Sequence, residues 1–480
     1  MKFLTSCFQK YGLLLMRFYG FLTGSSRNKI KITLFFGMIL FFTGTVLAPN
    51  PAAAQIPKEY QKKFAEMRPK IDKNIEKYRK GNFHLVLVDE KGKPFSNAAI
   101  DVRQQSHSFK FGCNILVLGQ KKRKNQLYEE EFLRLFNLAT TTFCCSVYHP
   151  SPDQFLFGEK DQDIWRRPQP DRVLAFCQKH GIEMKGQPLI AGSWHPKWMP
   201  ADREEAKKEY RKWMKAVADH YQNRVGIYDV VNEAYLHKSP SFSLYEKNLD
   251  YVSWAFQEAQ KLFPKDVLLE INEATSEAHN PNLYLKLLKK MRSEGAEFDS
   301  IGFQFHLFTK ASFQGHLNGH YLSMESLPGI YRQYCELNVP MFITEITVPS
   351  TLGKTLSEGE AIQATVLDHL YRLWFSIPNM AGIVYWNLCD GAAWKSEGKV
   401  QAGLLDGEMR EKPAYQALYQ LIRREWNTQL QVKSSAKGEI DFRGFYGKYL
   451  FLSSDGNKTK IGEFDLSKEG SVRVIMKESE

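Results

Sequence analysis

The chain has 480 residues, of which 43% are hydrophobic, 25% charged and 13% aromatic; this excludes a largely disordered protein and provides for one large core with small flanking modules. The formal charge of +12 is spread along the sequence, and no basic motif resembles a base-contacting helix. We therefore expect a solvated basic surface and no nucleic-acid partner.

The N-terminal residues resemble an export signal. An apolar stretch at 33–48 follows three basic residues and precedes three alanines at 52–54. Positive charge, a short apolar run and small residues before a cleavage point are typical of secretory signals. We predict a signal peptide over 1–54, a secreted or periplasmic protein, and no stable membrane insertion after cleavage. An uncleaved anchor and a later translation start at Met16 remain open.

The seven cysteines include no Cys-x-x-Cys pair and no Cys/His spacing of the zinc type, so we predict no structural metal. Six cysteines remain once the leader is removed. Disulfides between them are allowed in an oxidising compartment, but the sequence does not give their connectivity. The adjacent Cys144 and Cys145 lie in an apolar run, which predicts burial.

Both flanks of the mature chain predict small β structures. Residues 55–108 predict an N-terminal helix plus a β-rich module: 57–81 is helix-prone and ends on Gly81, and 82–110 alternates with period two around a Gly-Lys-Pro turn. Residues 427–480 alternate in the same way around Asp-Gly and Glu-Gly turns, which predicts a C-terminal β appendage.

Between the flanks, residues 109–426 repeat a short β-rich segment followed by an amphipathic helical pattern, such as 203–221 or 358–375. The strand candidates are 109–115, 139–147, 182–190, 226–233, 267–273, 298–306, 340–346 and 381–387. Because parallel strands need crossover connections, this pattern predicts an α/β fold, the TIM (β/α)8 barrel. A doubly wound open sheet is the alternative, but no glycine-rich phosphate fingerprint follows the first strand.

Two glutamates end predicted barrel strands. Glu233 ends the fourth strand in DVVNEA, and Glu345 lies at the end of the seventh in FITEIT. The carboxyl ends of barrel strands carry catalytic groups, and glycoside hydrolysis needs two carboxyl groups. Either glutamate alone is more often a solvated rim residue, but the pair predicts a general acid/base at Glu233 and a nucleophile at Glu345.

Neighbouring polar residues strengthen this interpretation. Asn232 precedes the first glutamate and has an amide that can donate to a sugar 2-hydroxyl. His306 ends the sixth strand, two residues after Gln304, and can hold a carboxylate ionised and oriented. A buried, hydrogen-bonded core histidine is the alternative for His306.

Tryptophans near the same strand ends predict sugar contacts, because the apolar face of a pyranose stacks on an aromatic ring. They are Trp386 and Trp394 at and after the eighth strand, and Trp194 and Trp198 after the third.

These motifs resemble the family 10 glycoside hydrolases, the endo-1,4-β-xylanases and their relatives, over about 109–425. The resemblance rests on DVVNEA, IGFQFH, FITEI, YWNLCDGAAW and LLDGEMREKPAYQAL. It implies a retaining mechanism without metal or cofactor, with six residues around the cleaved bond: Asn232, Glu233, Gln304, His306, Glu345 and Trp386.

The sequence departs from the family pattern after the second and third strands. It has TTTFCCSVYHP where the family usually has Glu-Asn followed by Lys-Trp, and Gln187 replaces the first histidine of Gly-His-x-Leu-x-Trp-His. Ala191-Gly192 replace the following Trp-His, whereas Trp198 is retained. The resemblance places these changes in the glycone-side pocket, where we expect Gln187 to bind the substrate and where Tyr148, Trp194 and His195 offer other contacts.

We therefore predict a retaining, endo-acting hydrolase of β-1,4-linked polysaccharide, most simply xylan, that acts as a monomer. Hydrolysis of another β-glycan is the first alternative, and a non-hydrolytic carbohydrate-binding protein is the second. A metal-dependent hydrolase would need several histidines and aspartates at strand ends, and only His306 is well placed.

Overall fold

The computed structural model describes residues 56–158, 164–236, 241–454 and 459–478. The predicted signal peptide, 1–54, lies outside these ranges. None of the helices within them combines the length and the apolar character needed to cross a bilayer.

The strands of the described ranges are β1 (Lys80–Val88), β2 (Ala99–His107), β3 (Lys110–Asn114), β4 (Leu138–Thr142), β5 (Glu183–Gln187), β6 (Ile227–Asn232), β7 (Leu268–Glu273), β8 (Ser300–His306), β9 (Met341–Thr347), β10 (Met380–Tyr385), β11 (Gln429–Lys433), β12 (Glu439–Phe445), β13 (Gly447–Ser454), β14 (Thr459–Leu466), β15 (Gly470–Ile475) and β16 (Lys477–Glu478).

Strands β3 to β10 form a closed parallel barrel, which confirms the predicted TIM fold. They pair in chain order, and β10 closes the barrel by pairing with both β9 and β3. The second strand of the barrel, β4, is shorter than the predicted 139–147. Its pairing with β5 ends at Thr142 opposite Gln187, and the chain then leaves the barrel in a short helix.

The α-helices are α1 (Lys58–Arg79), α2 (Asn125–Leu135), α3 (Cys145–Tyr148), α4 (Pro170–His180), α5 (Arg203–Tyr221), α6 (Asp250–Leu262), α7 (Thr275–Ala278), α8 (Tyr284–Ser293), α9 (Lys310–Leu317), α10 (Leu327–Tyr334), α11 (Leu356–Phe375) and α12 (Pro413–Gln420).

The long helices follow from local signals. In α5, apolar residues at helical spacing face the core, and the Asp202 side chain caps the first turn by accepting from the Glu205 backbone N–H at 3.0 Å. Helix α11 begins two residues before the predicted 358, because Thr355 and Glu358 form a capping box ahead of the apolar pattern.

The two flanking β segments pair with each other. Strand β1 lies between β12 and β15 in one sheet, and β2 lies between β11 and β13 in another. Alternate side chains of both sheets share one core, including Leu85, Val102 and Phe451. The N-terminal and C-terminal strands thus bury one common apolar core rather than two small ones.

Helix α1 packs on the outside of the barrel. Its Phe64 ring stacks on His369 of α11, with 3.5 Å between ring centroids. At its C-terminal end, Arg79 donates from Nε to the Phe375 carbonyl at 2.6 Å. The helix therefore covers α11 and leads directly into β1.

The six cysteines of the described chain are unpaired. Cys144 and Cys145 are both buried, as the apolar run predicts.

A buried ion cluster crosses the barrel interior. Lys185 on β5 lies 2.9 Å from Asp229 on β6 and also contacts Glu270 on β7. All three side chains are fully buried, and Ser300 donates to Glu270 at 3.0 Å. Burying charges is costly unless each finds a partner, so the cluster depends on the lysine.

We expect Lys185→Met to lower the free energy of unfolding by about 3–5 kcal/mol, because two carboxylates then share the barrel interior without a cation. Urea denaturation measures this change. Adding Asp229→Asn and Glu270→Gln to Lys185→Met removes the two acids that lost their cation, and this should restore most of the lost free energy of unfolding. A Lys185→Met loss below about 1 kcal/mol would contradict this account.

Candidate active site

A cleft of about 430 Å³ opens at the carboxyl ends of the barrel strands. Nine of the ten residues predicted to be functional line it: Gln187, Trp194, Asn232, Glu233, Gln304, His306, Glu345, Trp386 and Trp394. We refer to this space as the cleft.

Glu233 directly follows β6 in a left-handed backbone conformation, with φ of 57°. This conformation is unfavourable for a residue other than glycine and is often found at functional sites. The Glu233 backbone N–H donates to the Asn272 carbonyl at 2.9 Å, and its Oε1 accepts from Gln304 Nε2 at 2.9 Å. Both ends of the residue are therefore held at the rim.

Glu345 lies on β9 and is only 4% exposed. Its Oε1 accepts from Gln187 Nε2 and, at 3.4 Å, from Asn272 Nδ2. Burial raises the pKa of Glu345, while the hydrogen bonds from His306 and Gln187 act in the opposite direction. Gln187 stands where the family resemblance has a histidine and contacts the predicted nucleophile directly.

His306 bridges Glu345 and Thr347. Its Nε2 lies 3.2 Å from Glu345 Oε2, and its Nδ1 lies 2.9 Å from Thr347 Oγ1. An ionised carboxylate only accepts hydrogen bonds, so Nε2 donates to Glu345, and Nδ1 is hydrogen-bonded to the threonine hydroxyl. This arrangement orients the histidine toward the carboxylate instead of leaving it as a core residue.

Asn272 connects the two glutamates and has no role in the sequence prediction. The Asn272 Nδ2 donates to Asn232 Oδ1 at 2.8 Å and also to Glu345. The Asn272 Oδ1 accepts from Thr344 Oγ1 at 2.6 Å. Gln304 Nε2 reaches the same Asn232 oxygen at 3.3 Å. We call Gln187, Asn232, Asn272 and Gln304 the amide network, because together they contact both carboxylates.

The Asn232 side chain accepts at Oδ1 from both neighbours, which leaves its amide N–H groups without an acceptor among the described residues. They are available to a sugar hydroxyl in the cleft, as the sequence interpretation requires.

Glu273, at the end of β7, is a second residue without a predicted role. It is fully buried, and its side chain accepts from the backbone N–H groups of Tyr235 and Ala274, each at 3.3 Å. Burial raises the pKa of Glu273 to about 8, and the neighbouring Glu233 adds to the rise. Glu273 therefore keeps its proton at neutral pH and adds no second charge beside Glu233.

Three of the four predicted tryptophans line the cleft. Trp386 presents an edge-to-face contact to His306 at 6.3 Å between ring centroids, and Trp194 and Trp394 line one end of the cleft. Trp198 does not line it: its Nε1 donates to the His149 carbonyl at 2.9 Å, and its ring packs edge-on against the His149 ring. The loop after β5 therefore directs the Trp198 indole toward His149 and away from the cleft.

Two further suggested contacts also lie outside the cleft lining. Tyr148 is buried, and its hydroxyl donates to the Pro168 carbonyl at 2.9 Å and accepts from the Thr142 hydroxyl at 3.0 Å. His195 contacts the Tyr210 hydroxyl at 3.0 Å. Each polar group is engaged in local packing.

Two threonines and two arginines are among the lining residues that were not singled out from the sequence. Thr140 and Thr141 of β4 line the cleft, and their hydroxyls have no hydrogen-bond partner among the described residues. Arg166 and Arg167 come from the irregular segment between α3 and α4, which has no periodic pattern to reveal its direction. The described ranges contain no cluster of three or more His, Cys, Asp or Glu suited to a metal ion.

A closed eight-stranded barrel with two linked glutamates in one rim cleft defines the class of barrel glycosidases. The model of glycosyl hydrolase family 10 matches residues 156–421, more than half of the sequence. The chain belongs to glycosyl hydrolase family 10.

Similar proteins include an anti-sigma-I factor, RsgI6, of Acetivibrio thermocellus, which is 23% identical over 81% of this chain and 47% of its own length. The chain thus spans about half of that relative. Endo-1,4-beta-xylanase B of Thermotoga neapolitana is 25% identical over 62% of this chain and 84% of its own length.

Among solved structures, xylanase 10B of Thermotoga petrophila RKU-1 in complex with xylobiose has a TM-score of 0.56 and 22% identity, covering 66% of this chain and 95% of that chain. Native xylanase 10B of Thermotoga maritima has a TM-score of 0.55 and 22% identity, covering 66% of this chain and 96% of that chain. At these identities the two structures support the fold.

The raised pKa of Glu273 predicts a pH-dependent stability. The folded protein retains this proton up to about pH 8, whereas the unfolded chain releases it near the ordinary value of 4.5. The stabilising contribution is therefore complete below about pH 4.5 and is lost as the pH rises to about 8, by up to about 1.4 kcal/mol per pH unit.

Glu273→Gln has no proton to lose, so its unfolding free energy should vary less with pH than that of the unchanged protein over this window. Denaturant unfolding at half-unit pH steps measures the difference. Parallel pH profiles for the two proteins would show that Glu273 is ionised in the folded state.

Proposed function

We propose that this chain is a retaining, endo-acting glycoside hydrolase of β-1,4-linked polysaccharide, with xylan as its substrate. The observation that carries the proposal is the position of Glu233 and Glu345 in one cleft, at the ends of β6 and β9, joined by the amide network. Endo-1,4-beta-xylanases among the similar proteins support xylan as the substrate.

In the first step, a Glu345 carboxylate oxygen attacks the anomeric carbon of the sugar bound over it. The bond from that carbon to the glycosidic oxygen breaks, and the oxygen takes the Glu233 proton as it leaves. Hydrogen bonds from His306 and Gln187 keep the attacking carboxylate ionised although it is buried.

In the second step, Glu233 removes a proton from water, whose oxygen attacks the same anomeric carbon. The ester bond to Glu345 breaks, so the carboxylate is restored and Glu233 again carries its proton. The anomeric configuration is retained because each displacement inverts it once.

We expect Glu345→Ala to lower hydrolysis by about four orders of magnitude or more, because it removes the nucleophile. The measurement is the release of reducing ends from xylans, mixed-linkage glucans and mannans. Glu204→Ala, an exposed glutamate on α5, is the matched control.

Undiminished release by Glu345→Ala would refute the assignment. Release from glucan or mannan but not from xylan would replace xylan as the substrate, and no release from any of them would favour a carbohydrate-binding protein.

Glu233→Ala should slow hydrolysis in proportion to the basicity of the leaving group. An aryl glycoside with a very good leaving group needs little protonation, so its first step should be nearly spared, whereas a poor leaving group should lose about a hundredfold or more. A burst of the released phenol measures this step. An equal loss for every leaving group would contradict an acid role for Glu233.

We further propose that residues 1–54 direct export and that the mature enzyme acts as a monomer outside the cytoplasm. The charged, apolar and small-residue order of the leader supports export. N-terminal sequencing of the exported protein tests the cleavage point after Ala54.

A further inference from the structure

Two adjacent arginines line one end of the cleft. Arg166 and Arg167 are 3% and 7% exposed, so both cations are largely removed from solvent. Burial lowers the pKa of Arg166 to about 10, and this guanidinium still carries its charge at neutral pH.

Neither arginine has an ion-pair partner within 4.0 Å among the described residues. The other buried cations of the described chain all do: Lys185 pairs with Asp229 and Glu270, Arg372 with Glu425, and Lys412 with Asp390. A buried charge without a partner is costly. The pair in the cleft is therefore the exception among the buried cations of the described residues.

Arg166 is held in place by neutral groups. Its Nη1 donates to Asn387 Oδ1 at 2.5 Å and to the Ala392 carbonyl, and its Nε has no partner among the described residues. Both Arg166 and Asn387 have left-handed backbones, with φ of 60° and 77°. This strained pair fixes the arginine backbone beside the eighth barrel strand.

Arg167 lies against two of the predicted sugar platforms. Its Cζ is 4.3 Å from the Trp194 ring centroid and 6.0 Å from that of Trp394. Its Nη1 donates to the Arg166 carbonyl at 2.7 Å, and no carboxylate of the described chain takes the rest of its donors. Stacking orients a planar guanidinium for bidentate binding of a carboxylate.

Glu397 also lines this end of the cleft, and its charge favours the charged form of Arg166. It forms no ion pair within 4.0 Å with either arginine, and its Oε2 accepts from the Trp394 backbone N–H at 3.4 Å.

The contacts of the arginines and of Glu233 show which half of the cleft each occupies. The arginines belong to the segment that follows β4, and their contacts lie after β10, at Asn387 and Ala392, and after β5, at Trp194. Glu233 follows β6, and its contacts lie on β7 and β8, on the other half. Because the acid protonates the departing oxygen, the leaving chain lies on the Glu233 half and the glycone on the arginine half.

We propose that Arg166 and Arg167 bind the carboxylate of a uronic acid carried by the glycone part of the polysaccharide. The inference rests on the proposed glycosidase function and deepens it: the preferred substrate is an acidic glycan, and its carboxylate forms the ion pair that neither arginine has among the described residues. The uronate is either a side branch or a unit of the main chain, since both present the same group.

The test compares three polymers: glucuronoxylan, the same glucuronoxylan with its carboxyl groups reduced to alcohols, and a linear polyglucuronate. We expect kcat/KM for an acidic polymer to exceed that for the reduced one by about ten- to a hundredfold, the range for a charge-assisted contact. Preference for glucuronoxylan assigns the acid to a branch, and preference for polyglucuronate assigns it to the main chain.

Arg167→Gln should bring the ratio of acidic to reduced polymer close to one. Arg167→Lys keeps the positive charge but loses the planar, bidentate donors of the guanidinium, so it should give an intermediate ratio. An intermediate ratio indicates a change in carboxylate recognition, because misfolding would lower kcat/KM for both polymers alike. Lys395→Gln removes an exposed cation beside Trp394 and should keep the ratio of the unchanged protein. The ratio should persist in 1 M salt, because attraction by surface charge is screened there and a buried contact much less.

Binding gives a readout independent of turnover. Calorimetric titration of the Glu345→Ala variant with oligosaccharides of glucuronoxylan and of the reduced polymer should show tighter binding of the acidic set, and Arg167→Gln should abolish the difference.

Tighter binding of the carboxylate-bearing oligosaccharides, without hydrolysis of any polymer, would refute the proposed hydrolase activity and support this inference. Hydrolysis of acidic and reduced polymers at equal kcat/KM would overturn the inference and keep the hydrolase. An equal loss by Arg167→Gln on both polymers would also overturn it, because the arginines would then act on Glu345 rather than on the substrate.

Discussion

The parallel hydrogen bonding that closes the barrel is the constraint on which the rest of the molecule depends. Because β10 pairs with both β9 and β3, all eight strands end at one rim, and residues far apart in the chain meet there. Glu233 and Glu345 need this closure to share a cleft. The amide network then sets their geometry, since Asn272 on β7 reaches both Asn232 on the neighbouring β6 and Glu345 on β9.

Strand positions and both glutamates could be predicted from the sequence, because an apolar run that ends in an acid is a local pattern with a defined place in a barrel. Asn272 and Glu273 end a strand in the same way, in LLEINE, but their use depends on which side chain faces the cleft. That direction follows from tilt and register, which a single strand does not encode. The pairing of β1 with β12 is equally non-local. The alternation of apolar and polar residues therefore predicts that each segment is a strand, but not which strand it pairs with.

Loop residues were harder to predict for a related reason. Trp194 and Trp198 lie on one short loop, yet one ring lines the cleft and the other packs on His149. The loop carries no periodicity, so its sequence does not say which indole turns inward. Arg166 and Arg167 resemble any surface basic pair until the fold shows them buried without a carboxylate partner among the described residues.

The cleft solves two electrostatic problems by different means. Glu345 must be an anion in a place where burial raises its pKa, and three hydrogen-bond donors stabilise it: an amide, a second amide and a histidine N–H. The two amides orient the carboxylate without neutralising it, so it keeps its nucleophilicity. The arginines, in contrast, concentrate positive charge on the other side of the glycone position. A cation placed against Glu345 would lower its reactivity, whereas one placed against the substrate adds binding and leaves the nucleophile free to attack. Hydrogen-bond donors thus orient the reacting carboxylate, and the fixed charges of the arginines bind the substrate at the other end of the same cleft.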